Sequence, residues 1–273
     1  MEKMRYSNLH THTTFSDGVG SVKQNVESAI SKNMLSLGFS DHSFTACDPS
    51  YCMHTDRYKA YIDEVNAAKK EYEGTLPIFL GLEKDYYSDI DTTGFDYVIG
   101  SVHYVKKDEK YLDVDMSEED FCNSVSQVYG GDFYAFCKDY YKNIADVYNK
   151  TKCDIIGHFD LVTKFNEGNK LFDETDKRYA TLAINAVDEL LKNNVIFEIN
   201  TGAISRGYKT APYPARFILE RIFEKGGSII LSGDTHSADT LCYAFDTATE
   251  YIKSVGFSSV KTLTQNGFQD YKI

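Results

Sequence analysis

The chain has 273 residues, 42% hydrophobic and 26% charged, with a formal net charge of −12 and a pI near 5.0. That length suits one large α/β domain over residues 1–273, since no Pro/Gly/Ser-rich linker or charge run divides it. The acidic balance argues against nucleic-acid binding, which relies on basic stripes, and the lack of an apolar run near ~20 residues or of a signal-peptide core predicts a cytoplasmic protein without a membrane partner.

A strand near residues 5–10 opens the chain and runs into Asn8-Leu9-His10-Thr11-His12-Thr13-Thr14-Phe15-Ser16-Asp17-Gly18. Extended backbone points alternate side chains the same way, so His10 and His12 face one point. Asp17 can return to that point from the turn ending at Gly18, which outlines a metal pocket. A helix over 21–33 follows, with Ser21 as its cap. The apolar segment 35–40 delivers Asp41-His42 at its C-terminal end, and residues 43–56 form an excursion over the barrel mouth.

A polar, Ala- and Lys-rich helix is predicted over 57–73 and a buried strand over 76–82, ending at Glu83. The strand 95–102 closes with Ser101-Val102-His103, and the acidic stretch 104–130 reads as a second excursion. A helix over 132–150 carries Phe133, Phe136, Tyr140, Tyr141, Ile144 and Val147 at helical spacing, a packed face. Residues 154–158 repeat the design of a short apolar strand ending in a histidine, His158. Then come a helix over 175–193, a strand over 195–200 ending in Glu198-Ile199-Asn200, and a polar loop with Arg206 and Lys209. A helix over 214–225 precedes a strand over 228–231, which delivers Gly233-Asp234-Thr235-His236. A helix over 239–254 and a strand near 259–263 complete the chain.

Strands alternating with helices imply a parallel sheet with right-handed crossovers. Polar residues gather at the C-terminal ends of most strands, which points to a closed, TIM-like barrel with its site on that face. A doubly wound open sheet is the alternative, but it normally places its site at one switch point. Six of the seven histidines, all except His54, fall at strand ends or just after them. Asp17, Glu83 and Asp234 stand at the same level and add oxygen donors suited to Zn, Mn or Fe.

HxHT followed by SDG, then DH, GLE, SVH, GHFD and SGDTH, in order over essentially the whole chain, resembles the polymerase and histidinol phosphatase (PHP) family of metallophosphoesterases. GSVHY with its LDVD segment, IIGHFDLVTKFN and the EINT-loop-Arg segment look most like the histidinol-phosphate phosphatase branch. The resemblance implies a distorted (β/α)7 TIM-like barrel with up to three divalent metal ions. His10, His12, Glu83 and Asp234 would hold one, Glu83 would bridge to a second held by His103 and His158, and Asp17, His42 and His236 would hold the third. It also implies hydrolysis of L-histidinol phosphate in histidine synthesis. Three divalent cations outweigh three ligand carboxylates, so the site would attract a phosphate monoester despite the acidic exterior. Metal binding brings the pKa of water from about 16 down to roughly 7–9.

With Glu83 as the bridge, Asp234 and His236 are the candidate proton donors to the leaving group. Arg206 is either a bidentate phosphate ligand or a solvated loop residue, while Lys164 and Lys209 are expected at the surface. Asp160, Glu198 and Asn200 could meet the substrate's ammonium or imidazole, or could orient metal-bound histidines. Tyr51, Phe44 and Tyr104 could stack on an imidazole. His54 with Cys47, Asp48 and Cys52 matches no strong zinc spacing, and scattered cysteines without a CxxC pair read as reduced thiols. Competing readings are a diesterase or exonuclease of the same superfamily, a phosphatase of sugar phosphates or nucleotides, and a nonenzymatic metal-bearing barrel.

Overall fold

The computed structural model describes residues 4–273. The chain begins with β1 (Ser7–Asn8), α1 (Val22–Ser31), β2 (Ser36–Phe39), α2 (Tyr58–Glu71), β3 (Ile78–Asp85) and β4 (Tyr97–Ser101). A small hairpin of β5 (Tyr104–Lys107) and β6 (Lys110–Asp113) follows, then α3 (Glu118–Tyr129), α4 (Phe133–Thr151) and β7 (Ile155–Ile156). The remainder comprises α5 (Lys177–Leu190), β8 (Ile196–Asn200), α6 (Gly202–Ser205), α7 (Arg216–Glu224), β9 (Ser228–Ser232), α8 (Phe245–Val255), β10 (Ser259–Thr264) and β11 (Gly267–Lys272).

Seven strands form one parallel sheet in the order β1-β2-β3-β4-β7-β8-β9, the TIM-like barrel that the sequence pattern predicts, with the distorted (β/α)7 form that the family resemblance implies. Closure between β1 and β9 is slight and sits at the mouth. Thr11 and Thr235 form an isolated parallel bridge, in which His12 N–H donates to the Thr235 carbonyl at 2.8 Å and Thr235 N–H to the His10 carbonyl at 3.0 Å. Asn8 completes the seam with its amide, which donates to Thr235 Oγ1 at 3.0 Å and accepts from Gly233 N–H at 2.9 Å.

The barrel interior is apolar and narrow, filled by Leu9, Phe79, Tyr97, Ile99, Ile155, Ile196 and Ile230. Tyr97 crosses it and donates its hydroxyl to the carbonyls of Leu9 and Phe39. A side chain at Gly81 would begin 2.2 Å from the Tyr97 ring, so the strand needs glycine there. Leu263 and Phe268 from the β10–β11 hairpin close the floor of this core.

Local sequence explains the outer helices. Ser21 and Gln24 form a reciprocal capping box at the start of α1. Asp132 caps α4 by accepting from the N–H groups of Tyr134 and Ala135, and the buried face of α4 includes Phe136, Tyr140, Tyr141, Ile144 and Val147, the predicted stripe except for Phe133, which is half-buried. No helix among the described residues is long and apolar enough to cross a membrane.

The excursion expected over 104–130 lies outside the barrel sheet and is built of β5, β6 and α3, where Ser117 caps a helix whose buried face includes Phe121 and Val125. Three expectations need correction. The strand expected to end at Glu83 continues to Asp85, because Asp85 is itself used inside the barrel. The helix placed over 239–254 starts at Phe245, after a separate turn at Ala238–Thr240. The strand near 259–263 belongs to a hairpin apart from the barrel sheet, since its partner is β11.

Candidate metal centre

The site is built from the barrel's C-terminal strand ends. His10 and His12 leave β1 fully buried, their ring centroids 5.1 Å apart. His42 follows β2, Glu83 lies within β3, His103 and His158 follow β4 and β7, and Asp234 and His236 follow β9. Asp17 arrives from the turn after β1, where a side chain at Gly18 would begin 2.5 Å from the His12 backbone. All nine sequence-predicted ligands converge.

Glu83 stands at the centre. Its Oε2 has His42 Nδ1 at 2.7 Å, His10 Nε2 at 3.2 Å and His12 Nε2 at 3.6 Å. Its Oε1 has His158 Nε2 at 3.0 Å and His103 Nε2 at 3.5 Å, and accepts from the Ser101 hydroxyl at 2.6 Å. Asp234 Oδ1 faces His12 Nε2 at 3.4 Å and His10 Nε2 at 3.9 Å. Asp17 faces His236 at 3.2 Å, His42 at 3.7 Å and His12 at 3.8 Å. Three overlapping groups can each surround an ion: His12, Asp17, His42 and His236; His10, His12 and Asp234; and His42, Glu83 and His103. His42 and His12 thus stand between groups rather than inside one. None of these groups includes His54 or a cysteine.

The chemistry of the donors fits divalent cations. His10 Nε2, both ring nitrogens of His12, and Glu83 Oε2 are buried and make no hydrogen bond despite their close neighbours. Unpartnered buried polar atoms are costly, and imidazole nitrogen with carboxylate oxygen is the ligand set of Zn, Mn and Fe.

Electrostatics keep the acids ionised. Burial opposes charge on Glu83, but His42, His10 and His103 outweigh it and hold the carboxyl well below the ordinary range. Asp234 is likewise depressed, with burial overcome by Arg206 and His10. Burial pulls His103 down, yet Glu83 and Asp85 push it up to about 10. His12, buried and next to His236 and His42, falls to about 3, which leaves it neutral as a ligand must be.

One supporting residue, Asp85, escapes the sequence reading, and the structure decides the role of two others. Asp85 accepts from His103 N–H at 3.1 Å and lies 3.2 Å from its Nδ1, orienting that ring. Glu198, left open between substrate and histidine, takes the second role: it lies 2.6 Å from His10 Nδ1 and accepts from His158 N–H at 2.8 Å. Asn200 donates to Glu198 at 2.8 Å. Such partners fix ring orientation and tautomer. Only alternation along β3 hints at Asp85, which lies two residues beyond Glu83.

Arg206 is exposed at the cleft but paired with Asp234. Its Nη2 donates to Asp234 Oδ2 at 2.8 Å and its Nη1 to the Asp234 carbonyl at 3.2 Å, with His236 Nδ1 at 3.1 Å. Asp234 itself adopts φ +45°, a strained conformation for a side-chain-bearing residue, and Arg206 grips both ends of it. Lys164 and Lys209 are not surface residues. Lys164 is buried, donating to the Asp115 carbonyl at 2.6 Å, and Lys209 packs inward, donating to Thr163 Oγ1 at 3.0 Å. Asp160 is buried away from the cleft and accepts from Ala215 N–H at 2.9 Å. Phe44 approaches the His54 ring at 6.2 Å.

A cleft of about 320 Å³ opens over the cluster, with Asp17, His42, His103, His158, Arg206, Asp234 and His236 on its lining. Tyr51, Tyr104, Asp113, Asp115 and Lys164 line it as well. Burial and the neighbouring Asp115 push Asp113 up to about 6.

Residues 8–202 match the family model described as the PHP domain; Asp234 and His236 lie beyond that span but close the same cluster. Over 266 residues the chain is 29% identical to the histidinol-phosphatase of Bacillus subtilis, covering 87% of this chain and 96% of that protein. A Listeria monocytogenes structure described as a candidate histidinol phosphatase aligns with a TM-score of 0.77 at 20% identity, over 88% of this chain and 99% of its own. The histidinol phosphate phosphatase of Lactococcus lactis, crystallised with zinc, L-histidinol and phosphate, aligns with a TM-score of 0.67 at 20% identity, over 98% of this chain and 100% of its own.

Proposed function

The chain belongs to the PHP domain family, and from that premise we propose that it is a metal-dependent phosphoric monoester hydrolase converting L-histidinol phosphate to L-histidinol and phosphate. The observation that carries this reading is the convergence of six imidazoles and three carboxylates, with buried unpartnered ligand atoms, at the base of one cleft. His10, His12, Glu83 and Asp234 would hold one cation, Glu83, His103 and His158 a second, and Asp17, His42 and His236 a third. Bound divalent ions supply Lewis acidity toward phosphate oxygens and activate water near neutral pH.

The chain's own residues do the rest. Arg206 presents its guanidinium to the cleft beside Asp234 and binds phosphate oxygens as charge shifts during the displacement. Asp113 and Asp115 face the same cleft and receive the cationic amine or imidazolium at the other end of the substrate, with Lys164 anchoring Asp115. Tyr51, 4.8 Å from the His42 ring and roughly perpendicular to it, adds an aromatic wall. Of the two candidate proton donors, Asp234 is held ionised by Arg206 and His10 and works as an acceptor. His236 turns its Nε2 to Asp17 at 3.2 Å and its Nδ1 to Arg206 at 3.1 Å, an arrangement that suits a cation ligand rather than a proton donor.

Arg206→Ala is expected to lower kcat/KM by roughly 10- to 100-fold, the worth of one charge-assisted hydrogen bond of about 1.5–3 kcal/mol. Arg206→Lys should recover only part, because a point charge cannot grip Asp234 and phosphate together. Steady-state kinetics checks both, and an unchanged kcat/KM would remove Arg206 from the site.

The reading as a whole is tested by phosphate release from L-histidinol phosphate, its analogue lacking the amine, p-nitrophenyl phosphate, a nucleotide and a sugar phosphate, on enzyme of measured metal content. A preference for histidinol phosphate by several orders of magnitude is expected. Equal slow turnover of every monoester would keep the chemistry and withdraw the substrate.

A further inference from the structure

Asp17 is the ligand candidate least supported by regular structure. It sits on a turn rather than a strand end, its side chain is 34% exposed, and it must meet His236 and His42 across the cleft. The group that holds this turn is Asp41, which is fully buried. Asp41 Oδ1 accepts from Thr13 N–H at 2.9 Å, Ser16 N–H at 3.0 Å and the Ser16 hydroxyl at 2.6 Å. Its Oδ2 accepts from the Thr13 hydroxyl at 2.9 Å.

A buried carboxylate is costly unless donors surround it, and each of these donors lies within the four residues that lead into Asp17. They fix the path of one turn. The other groups of the cluster have supports of their own: Glu198 on His10 and His158, Asp85 on His103, Ser101 on Glu83. Asp41 also directly precedes His42. One strand end therefore supplies a ligand itself and aims a second ligand through a neighbouring turn.

We propose that Asp41 is a positioning residue that sets the affinity of the Asp17–His42–His236 cation and of that cation alone. The proposal rests on the three-cation reading, so the wild-type stoichiometry is measured first. Fully zinc-loaded enzyme is titrated with a competing chelator, and bound zinc and melting temperature are followed together. Wild type is expected to hold three zinc ions per chain. Asp41→Asn should hold two with wild-type affinity and the third about 10- to 100-fold more weakly, the usual effect of removing a ligand's supporting partner. Ser16→Ala, which deletes one donor and leaves the carboxylate, should shift the same site in the same direction by less, and it serves as the test should Asp41→Asn not fold. Equal weakening of all three ions, or a third site unmoved in these variants, overturns the assignment. A wild-type protein binding fewer than three ions overturns the reading beneath it as well.

Discussion

Glu83→Ala is expected to lower kcat/KM by at least about 10³-fold, equivalent to about 4 kcal/mol of transition-state stabilisation, and to release the bridged pair of cations. The reason is geometric. Five imidazole nitrogens stand 2.7 to 3.6 Å from its two oxygens, so no other side chain can replace it as the shared acceptor. Its neighbours would then face one another as a crowd of bases with no central anion. Glu83→Gln separates charge from shape: it should fold and pack like the wild type, yet lose the same two ions, because a neutral amide bridges cations poorly. Kinetics and zinc analysis on both variants check this. Full activity in either one would end the metal-centre reading.

Stripping the cations from wild-type enzyme should remove activity and lower the melting temperature by roughly 5–15 °C, both restored by added zinc. A ligand present at 100 to 1,000 times its Kd stabilises the folded state by about 2.7–4.1 kcal/mol, and each kcal/mol is worth roughly 2–4 °C in a chain of this size. The shift arises from the donors themselves. His12 and Glu83 are buried with unpartnered ligand atoms, a cost that the cation removes and that the unfolded chain never meets. Chelation followed by calorimetry and assay measures it. Undiminished turnover at zero bound metal would refute the role assigned to the cluster.

Much of this was readable before any coordinates. Histidines at strand ends reveal themselves because a short apolar run followed by a polar residue marks both an element and its direction, as in Ile155-Ile156-Gly157-His158. The barrel follows from that repetition. What stayed hidden depends on partners distant in sequence. Asp85 looks like an ordinary charge after a strand until β3 is seen to pair with β4 and bring it to His103, 18 residues on. Glu198 is legible as a polar strand-end residue, but its choice between substrate and histidine rests on His10, 188 residues away. Lys164 and Lys209 were misplaced for a similar reason, since a lysine's usual exposure says nothing of an Asp115 or a Thr163 waiting to take its ammonium inside. The hairpin of β10 and β11 was half seen, because alternation marks a strand but not the sheet it joins.

The seam between β1 and β9 has a bearing on how the protein is made. Asn8 and Thr235 meet across 227 residues, so the first ligands to leave the ribosome wait for almost the last. At roughly 5–20 residues per second, that delay is on the order of tens of seconds. During it Asp17, His42, Glu83, His103 and His158 emerge in turn, while the barrel that gathers them is still open at the β1–β9 seam. Only when Asp234 and His236 arrive can the cluster close, so on the metal-centre reading the choice of ion falls to the assembled barrel.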